Sequence, residues 1–229
     1  MFLIPWESIP KFMKNEAVYE YYKILKKRIP DLIFKRIFDV IVSTILIILF
    51  SPLFLVIGIS IKLDSKGSIF FRQERVTQYG KIFKLFKFRT MCENADLKSP
   101  EITVYEDLRI TKIGKFLRKY RIDEIPQLFN LFIGDLTFVG TRPEVKKYVS
   151  LYSNEMLATL LLPAGVTSNT SIIFKDEDKI LKKYEDPEIA YTEYVLPEKM
   201  KINLEYLKHI SILNDFKIIF MTVFKVLFS

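Results

Sequence analysis

The chain has 229 residues, half of them hydrophobic, and a formal net charge of +8 from 35 Lys and Arg against 27 Asp and Glu. That length suits one domain with a real core, and the charge points to anionic partners: phosphates, acidic lipid headgroups or nucleic acid. A lone cysteine, Cys92, excludes an internal disulfide and a Cys-rich metal cage, and a lone histidine, His209, excludes a His-based triad or zinc site.

The first ten residues have no basic start, apolar run and small-residue cleavage site, so a cleaved signal peptide is not expected. The stretch AVYEYYKILKKRI keeps helical spacing up to Pro30 and reads as a surface or interfacial helix, so residues 1–33 form a polar and aromatic lead. Residues 34–66 then carry an anchor. From Val40 to Ile61 there is no charged side chain, and about 20 such residues suffice to cross a bilayer as a helix. Ser51-Pro52 stands in the middle of the run, where the proline removes an amide donor and its ring crowds the carbonyl four residues back. Lys35 and Arg36 precede the run; Lys62, Lys66, Arg72 and Arg75 follow it. Basic flanks mark the cytosolic side, so a segment basic at both ends favours a re-entrant hairpin over a kinked full span or a buried core helix.

Residues 67–229 form the remaining body. Ser68–Phe71 and KIFKLFKFRTM (81–91) alternate apolar and basic residues as half-buried strands do, with lysines that a solvated strand face would also explain. Cys92 to Asp107 reads as loop, with Cys92 itself a small, buried or half-buried residue. Ile113, Phe116, Leu117 and Tyr120, then Leu128, Leu131 and Phe132, recur at three- and four-residue steps, which gives two helices meeting near Asp123 to Pro126. The C-terminal stretch from Ile202 mixes bulky apolar residues with spaced lysines, as a helix lying in the membrane interface or packed on a core would. Neither a P-loop nor GxGxxG is present. The expected fold is α+β and mainly helical, with a re-entrant membrane hairpin, interfacial amphipathic helices and a small cytosolic domain.

Within RKYRIDEIPQ the adjacent acids Asp123 and Glu124 follow Arg118, Lys119 and Arg121. Adjacent acids alone are ordinary surface residues. Among cations, at a proline-bounded helix start, they suit an anionic phosphoryl substrate, for which a carboxylate supplies a nucleophile or a hard oxygen ligand. Asp176-Glu177-Asp178 is an alternative metal-binding triplet, though one common in Lys-rich loops, and Asn169-Thr170-Ser171 is a formal glycosylation sequon that a cytosolic domain would not present.

KRIFDVIVSTILIILFSPLFLVIGISIKLDSKGSIFFRQERV, KIFKLFKFRTM, RIDEIPQLFNLFIGDLTFVGTRPE and DFKIIFMTVFKVL resemble, in that order, the bacterial sugar transferase family of monotopic phosphoglycosyl transferases, from about Phe34 to Phe228. The resemblance implies transfer of a sugar-1-phosphate from a UDP-sugar to undecaprenyl phosphate at the bacterial cytoplasmic membrane, with the catalytic domain facing the cytosol and UMP released. It implies Asp123 as a nucleophile forming an aspartyl phosphosugar, Glu124 as a holder of Mg²⁺, and Lys87, Arg89, Arg118 and Arg142 as phosphate-binding or substrate-binding cations. Ser51-Pro52 matches the helix break that makes the anchor re-entrant. The sequence departs from the family in two places: Gly140-Thr141-Arg142-Pro143 stands where GPRP is common, and PAGVTSNTSIIFKDEDKIL replaces PGxTGxxQxxGR, a region associated with nucleotide-sugar recognition. The favoured sugar is an N-acetylated or modified amino sugar; the alternatives are a hexose-1-phosphate or a non-catalytic membrane scaffold for glycan assembly. A homodimer is compatible with the sequence. A nucleic-acid partner is not expected, since the Lys and Phe alternation comes with no recognised binding fold.

Overall fold

The computed structural model describes residues 3–92, 109–175, 177–181 and 184–227. Most of the expected loop after Cys92, together with Asp176 and Phe228, lies outside the described residues, and Cys92 itself is exposed.

In chain order the helices are α1 (Glu16–Lys26), α2 (Ile29–Asp64), α3 (Lys112–Lys119), α4 (Gln127–Ile133), α5 (Lys146–Val149), α6 (Asn169–Ile173), α7 (Glu177–Leu181), α8 (Pro187–Ala190), α9 (Leu196–Lys208) and α10 (Ile212–Leu227). Strands β1 (Phe70–Val76) and β2 (Ile82–Phe88) form an antiparallel hairpin, while β3 (Leu136–Val139) and β4 (Ala164–Thr167) pair in parallel. The described residues are therefore mainly helical with small sheets, as expected, although the parallel β3–β4 pair has no counterpart in the strand alternation read from the sequence.

The lead departs from expectation in one respect. Asn15 caps α1 by accepting from the Val18 amide at 2.9 Å, and Val18, Tyr21, Tyr22 and Leu25 then bury one stripe. That stripe enters the largest core with Ile9, Met13, Val76, Leu161 and Leu207. Tyr79 Oη accepts from the Ile4 amide at 3.0 Å, and Tyr21 Oη donates to Glu155 at 2.7 Å. The lead is a surface helix as expected, but behind its exposed charges, such as Glu20 and Lys23, a complete apolar stripe is built into the core.

Helix α2 is continuous over 36 residues with Pro52 inside it, so the chain does not leave the helix at Ser51-Pro52 as expected. Straight, it would measure about 54 Å. Pro52 has no amide to give the Ile48 carbonyl, and Ser51 Oγ donates to that same carbonyl at 2.8 Å instead. Ile41, Ile45, Ile48, Leu49, Leu55, Val56 and Ile59 are each more than half exposed, and among the described residues α2 is the only helix long and apolar enough to cross a membrane.

Both ends of α2 hold the same body. Near its start, Lys35 pairs with Asp215 of α10 and donates to Tyr206 of α9 at 3.3 Å, while Arg36 donates to the Leu131 and Phe132 carbonyls of α4 at 2.7 and 2.9 Å. At its end, Asp64 accepts from the Ile113 amide at 2.9 Å, and Ile57 and Ile61 pack with Phe88 and Leu117. Helix α10 leaves Leu213, Phe216, Phe220, Val223 and Phe224 exposed along its outer side.

Candidate active site

Strand β2 aims the first site residue. Period-two alternation places Phe83, Leu85 and Lys87 on one face; the first two pack on Leu128 and Leu131 of α4, and Lys87 Nζ reaches Glu124 Oε1 at 2.9 Å. Asn130, fully buried on α4, fixes this relation by accepting from the Phe86 amide and donating to the Lys84 carbonyl, both at 2.9 Å. Sequence periodicity did not single it out, because an asparagine inside an apolar stripe carries no signal of its partner.

Between α3 and α4 the chain must turn sharply. Arg121 takes the left-handed conformation (φ 53°), uncommon for a residue with a Cβ, and starts the short 3₁₀ turn Ile122–Glu124. That turn presents Asp123 and Glu124 side by side, both half-buried. Gly114 lets α3 approach: a Cβ there would lie 2.1 Å from the Thr90 carbonyl oxygen. Thr90 Oγ1 in turn accepts from Arg118 Nε at 2.9 Å, which holds the Arg118 charge beside Asp123.

Arg142 arrives on the loop after β3, where Gly140 donates to the Thr167 carbonyl (3.0 Å) and Gly165 to the Thr141 carbonyl (2.8 Å). Its Nη2 lies 3.0 Å from Glu124 Oε1, so both hydrogen bonds to Glu124 fall on one oxygen. Behind the loop, buried Glu144 accepts from Tyr191 Oη at 2.5 Å, and Lys199 joins Tyr191 (3.1 Å) and Glu177 (3.0 Å).

The two carboxylates are driven in opposite directions. Burial alone would raise Glu124, but Arg142 and Lys87 outweigh it and hold the group far below the usual carboxylate range. Asp123 is raised, first by burial and then by the Glu124 charge, against the opposing pull of Lys87 and Arg118. A carboxylate kept charged beside one made more basic suits a pair in which one member holds cations and the other reacts.

Of the residues expected in the site, Lys87, Arg118, Asp123, Glu124 and Arg142 are brought together. Arg89 is not. Its buried guanidinium donates to the Lys66 carbonyl (2.6 Å), the Ser65 carbonyl (2.8 Å) and Ser65 Oγ (2.9 Å), so it fastens the end of the anchor. Of the acidic triplet, Glu177 is paired with Lys199, and among the described residues no three acids, histidines or cysteines cluster as a metal cage. For Mg²⁺ the fitting donors are Asp123 and Glu124, hard oxygens in a setting where substrate phosphates would complete the shell, as this ion commonly requires.

Glu124 and Arg142 open into a cavity of about 520 Å³, within the size range of small-molecule sites. Leu46 and Phe50 of α2 form part of its wall, and Thr170, Ser171 and Phe174 from the departing segment form another part. Asp123 does not itself line it. Lys175, Lys199 and Lys225 do, and the expected site did not include them.

The sequence model of the bacterial sugar transferase family matches residues 30–229. The UDP-glucose:undecaprenyl-phosphate glucose-1-phosphate transferase of Klebsiella pneumoniae is 40% identical over 85% of this chain and 40% of its own length. The UDP-N-acetylgalactosamine-undecaprenyl-phosphate N-acetylgalactosaminephosphotransferase of Aeromonas hydrophila is 41% identical over 53% of the chain and 29% of its own length. The exopolysaccharide production protein ExoY of Rhizobium meliloti (strain 1021) is 31% identical over 82% of the chain and 83% of its own length. The chain thus spans two fifths or less of the first two relatives. It belongs to the bacterial sugar transferase family.

Proposed function

We propose that this member of the bacterial sugar transferase family moves a sugar-1-phosphate from a UDP-sugar to undecaprenyl phosphate through a covalent intermediate on Asp123. The observation that carries the reading is the convergence of Lys87, Arg118 and Arg142 on Asp123 and Glu124, beside the one described helix long and apolar enough to cross a membrane.

In the first half-reaction the Asp123 carboxylate attacks the phosphorus that bears the sugar. The bond from that phosphorus to the bridging oxygen breaks, and the bridging oxygen leaves with UMP. Lys87 and Arg142 exchange Glu124 for the phosphate oxygens and balance charge that grows in the transition state. Arg118, held by Thr90, keeps Asp123 ionised and steadies the non-bridging oxygens. Mg²⁺ held by Glu124 with Asp123 beside it would supply further neutralisation of the diphosphate. In the second half-reaction an oxygen of undecaprenyl phosphate attacks the same phosphorus, and the Asp123–phosphorus bond breaks to restore the carboxylate. No proton need be moved in either step, which agrees with a site built without histidine.

The same reading makes α2 re-entrant. Arg36 and Asp64 are 28 residues apart, about 42 Å along a straight helix, yet both hold one body; a hydrocarbon core of about 30 Å between them would have to part it. A bend at Pro52 that returns the still-helical segment to its starting side lets both basic flanks and the catalytic body share the cytosolic face.

An N-acetylated or modified amino sugar remains the favoured donor, and N-acetylgalactosamine appears in the name of one relative. Glucose-1-phosphate is the second reading, favoured by the name of the relative from Klebsiella pneumoniae. Detergent-solubilised protein with undecaprenyl phosphate, Mg²⁺ and a panel of UDP-sugars tests both: UMP release with one sugar identifies the donor, and release with none overturns the assignment.

A further inference from the structure

The cavity beside Glu124 and Arg142 carries two cations with no part in the chemistry above. Lys225, in the last turn of α10, donates its ammonium to the Ile172 carbonyl, and Lys175 Nζ lies 3.5 Å from the Lys225 carbonyl. Among the described residues neither has a carboxylate partner. A lysine at a helix C-terminus is common because the macrodipole favours it. That explains the position of Lys225 on α10, but not its turning into a cavity beside a second lysine.

The surroundings are specific. Leu46 and Phe50 of α2 share the cavity, and the outer side of α10 exposes Phe220 and Phe224. Thr222, one turn before Lys225, bonds Thr167 at 2.6 Å, and Thr167 lies across the β3–β4 ladder from Val139, three residues before Arg142. Two ammonium groups with no carboxylate partner among the described residues thus line one cavity with the apolar anchor residues and with Arg142. That combination suits a phosphate carried on a hydrocarbon chain, since the head needs cations and the tail needs an apolar exit.

We infer that Lys175 and Lys225 bind the phosphate head of the polyprenol acceptor, with its chain leaving past Leu46 and Phe50. The inference rests on the phosphoglycosyl-transfer reading and adds to it where the second substrate waits. The acceptor phosphate then approaches the phosphorus on Asp123 from the Glu124 side of the site.

Separating the half-reactions tests this. Lys175→Gln and Lys225→Gln should each raise KM for undecaprenyl phosphate roughly tenfold to hundredfold, the range expected for one charged hydrogen bond. The burst of UMP formed without acceptor, and KM for the UDP-sugar, should match the unsubstituted enzyme; burst amplitude also counts folded sites. Lys175→Arg and Lys225→Arg should restore most of the acceptor KM. A short-chain prenyl phosphate should compete with undecaprenyl phosphate, and inorganic phosphate at equal concentration should not.

An unchanged acceptor KM overturns the inference, and so does a matching rise in UDP-sugar KM, which would give these lysines to the nucleotide. Equal competition by inorganic phosphate overturns the lipid part of it. Absence of a burst in the unsubstituted enzyme would instead count against the covalent reading, leaving steady-state acceptor KM to decide on the lysines.

Discussion

Lys87 Nζ and Glu124 Oε1 lie 2.9 Å apart, joining residues 37 positions distant in the chain, and Arg142 adds a second bond to the same oxygen at 3.0 Å. One acid thus holds both cations in place.

Replacing Glu124 by Gln removes the charge that holds both cations and, in the proposed mechanism, one hard ligand for Mg²⁺. Turnover should fall ~10²-fold or more, the usual scale for loss of an electrostatic element at a transferring phosphoryl group. Glu124 ionises more readily folded than unfolded, so its contribution to stability is full above the unfolded value and fades as pH falls toward the folded one. The stability gap between wild type and Glu124→Gln should therefore narrow below about pH 4. Denaturant melts across that range check it, and a constant gap would count against the pairing.

Asp123→Asn should abolish turnover, since an amide is a poor nucleophile toward phosphorus. Its raised pKa gives the opposite linkage: folding loses stability as pH rises from the unfolded value through the folded one, and the cost persists at neutrality. Asp123→Asn should thus melt at or above the wild-type temperature while releasing no UMP. Turnover beyond a few per cent would refute the covalent role, and a much lower melting temperature would refute the electrostatic account.

Arg118 and Arg89 both follow from the sequence as candidate phosphate ligands, but they should separate by assay. Arg118→Ala should cost ~10²-fold in kcat/KM with little change in melting temperature. Arg89→Lys cannot reproduce three bonds to the end of α2, so its effect should appear as a lower melting temperature with KM for the UDP-sugar unchanged.

A cysteine placed at exposed Lys14, with Cys92 replaced, should react with an impermeant thiol reagent only after cells are permeabilised. The sequence alone suggests that Ser51-Pro52→Ala-Ala pushes α2 toward a full span and carries the N-terminus outward. The structure changes that expectation, because crossing would pull Val18 and Leu25 out of the core. The double variant should keep its N-terminus inside. Labelling of Lys14→Cys in intact cells would exclude the hairpin.

Much of the candidate site came from the family resemblance, whose motifs keep its residues in short runs: Lys87 in KFRTM, Arg118 to Glu124 in one turn, and Arg142 before a proline. The helices around Pro126 and the strand alternation followed from spacing. Arg89 shows the limit of such reading, since it lies two residues from Lys87 yet turns to another partner. Long-range pairings such as Lys35 with Asp215, or Asn130 with the edge of β2, leave no local trace. The buried stripe of α1 was hidden differently: its period is present, but aromatic hydroxyls and neighbouring charges disguised how apolar the covered side is.

The family match begins at residue 30, whereas Met13, Val18 and Leu25 have no exposed surface. A fragment trimmed to the shared segment would open Val76, Leu161 and Leu207 to water and leave Tyr79 without its Ile4 partner. The cooperative unit is therefore longer than the segment that the family model matches. In exchanging segments between relatives, a join at residue 30 would divide a single hydrophobic core.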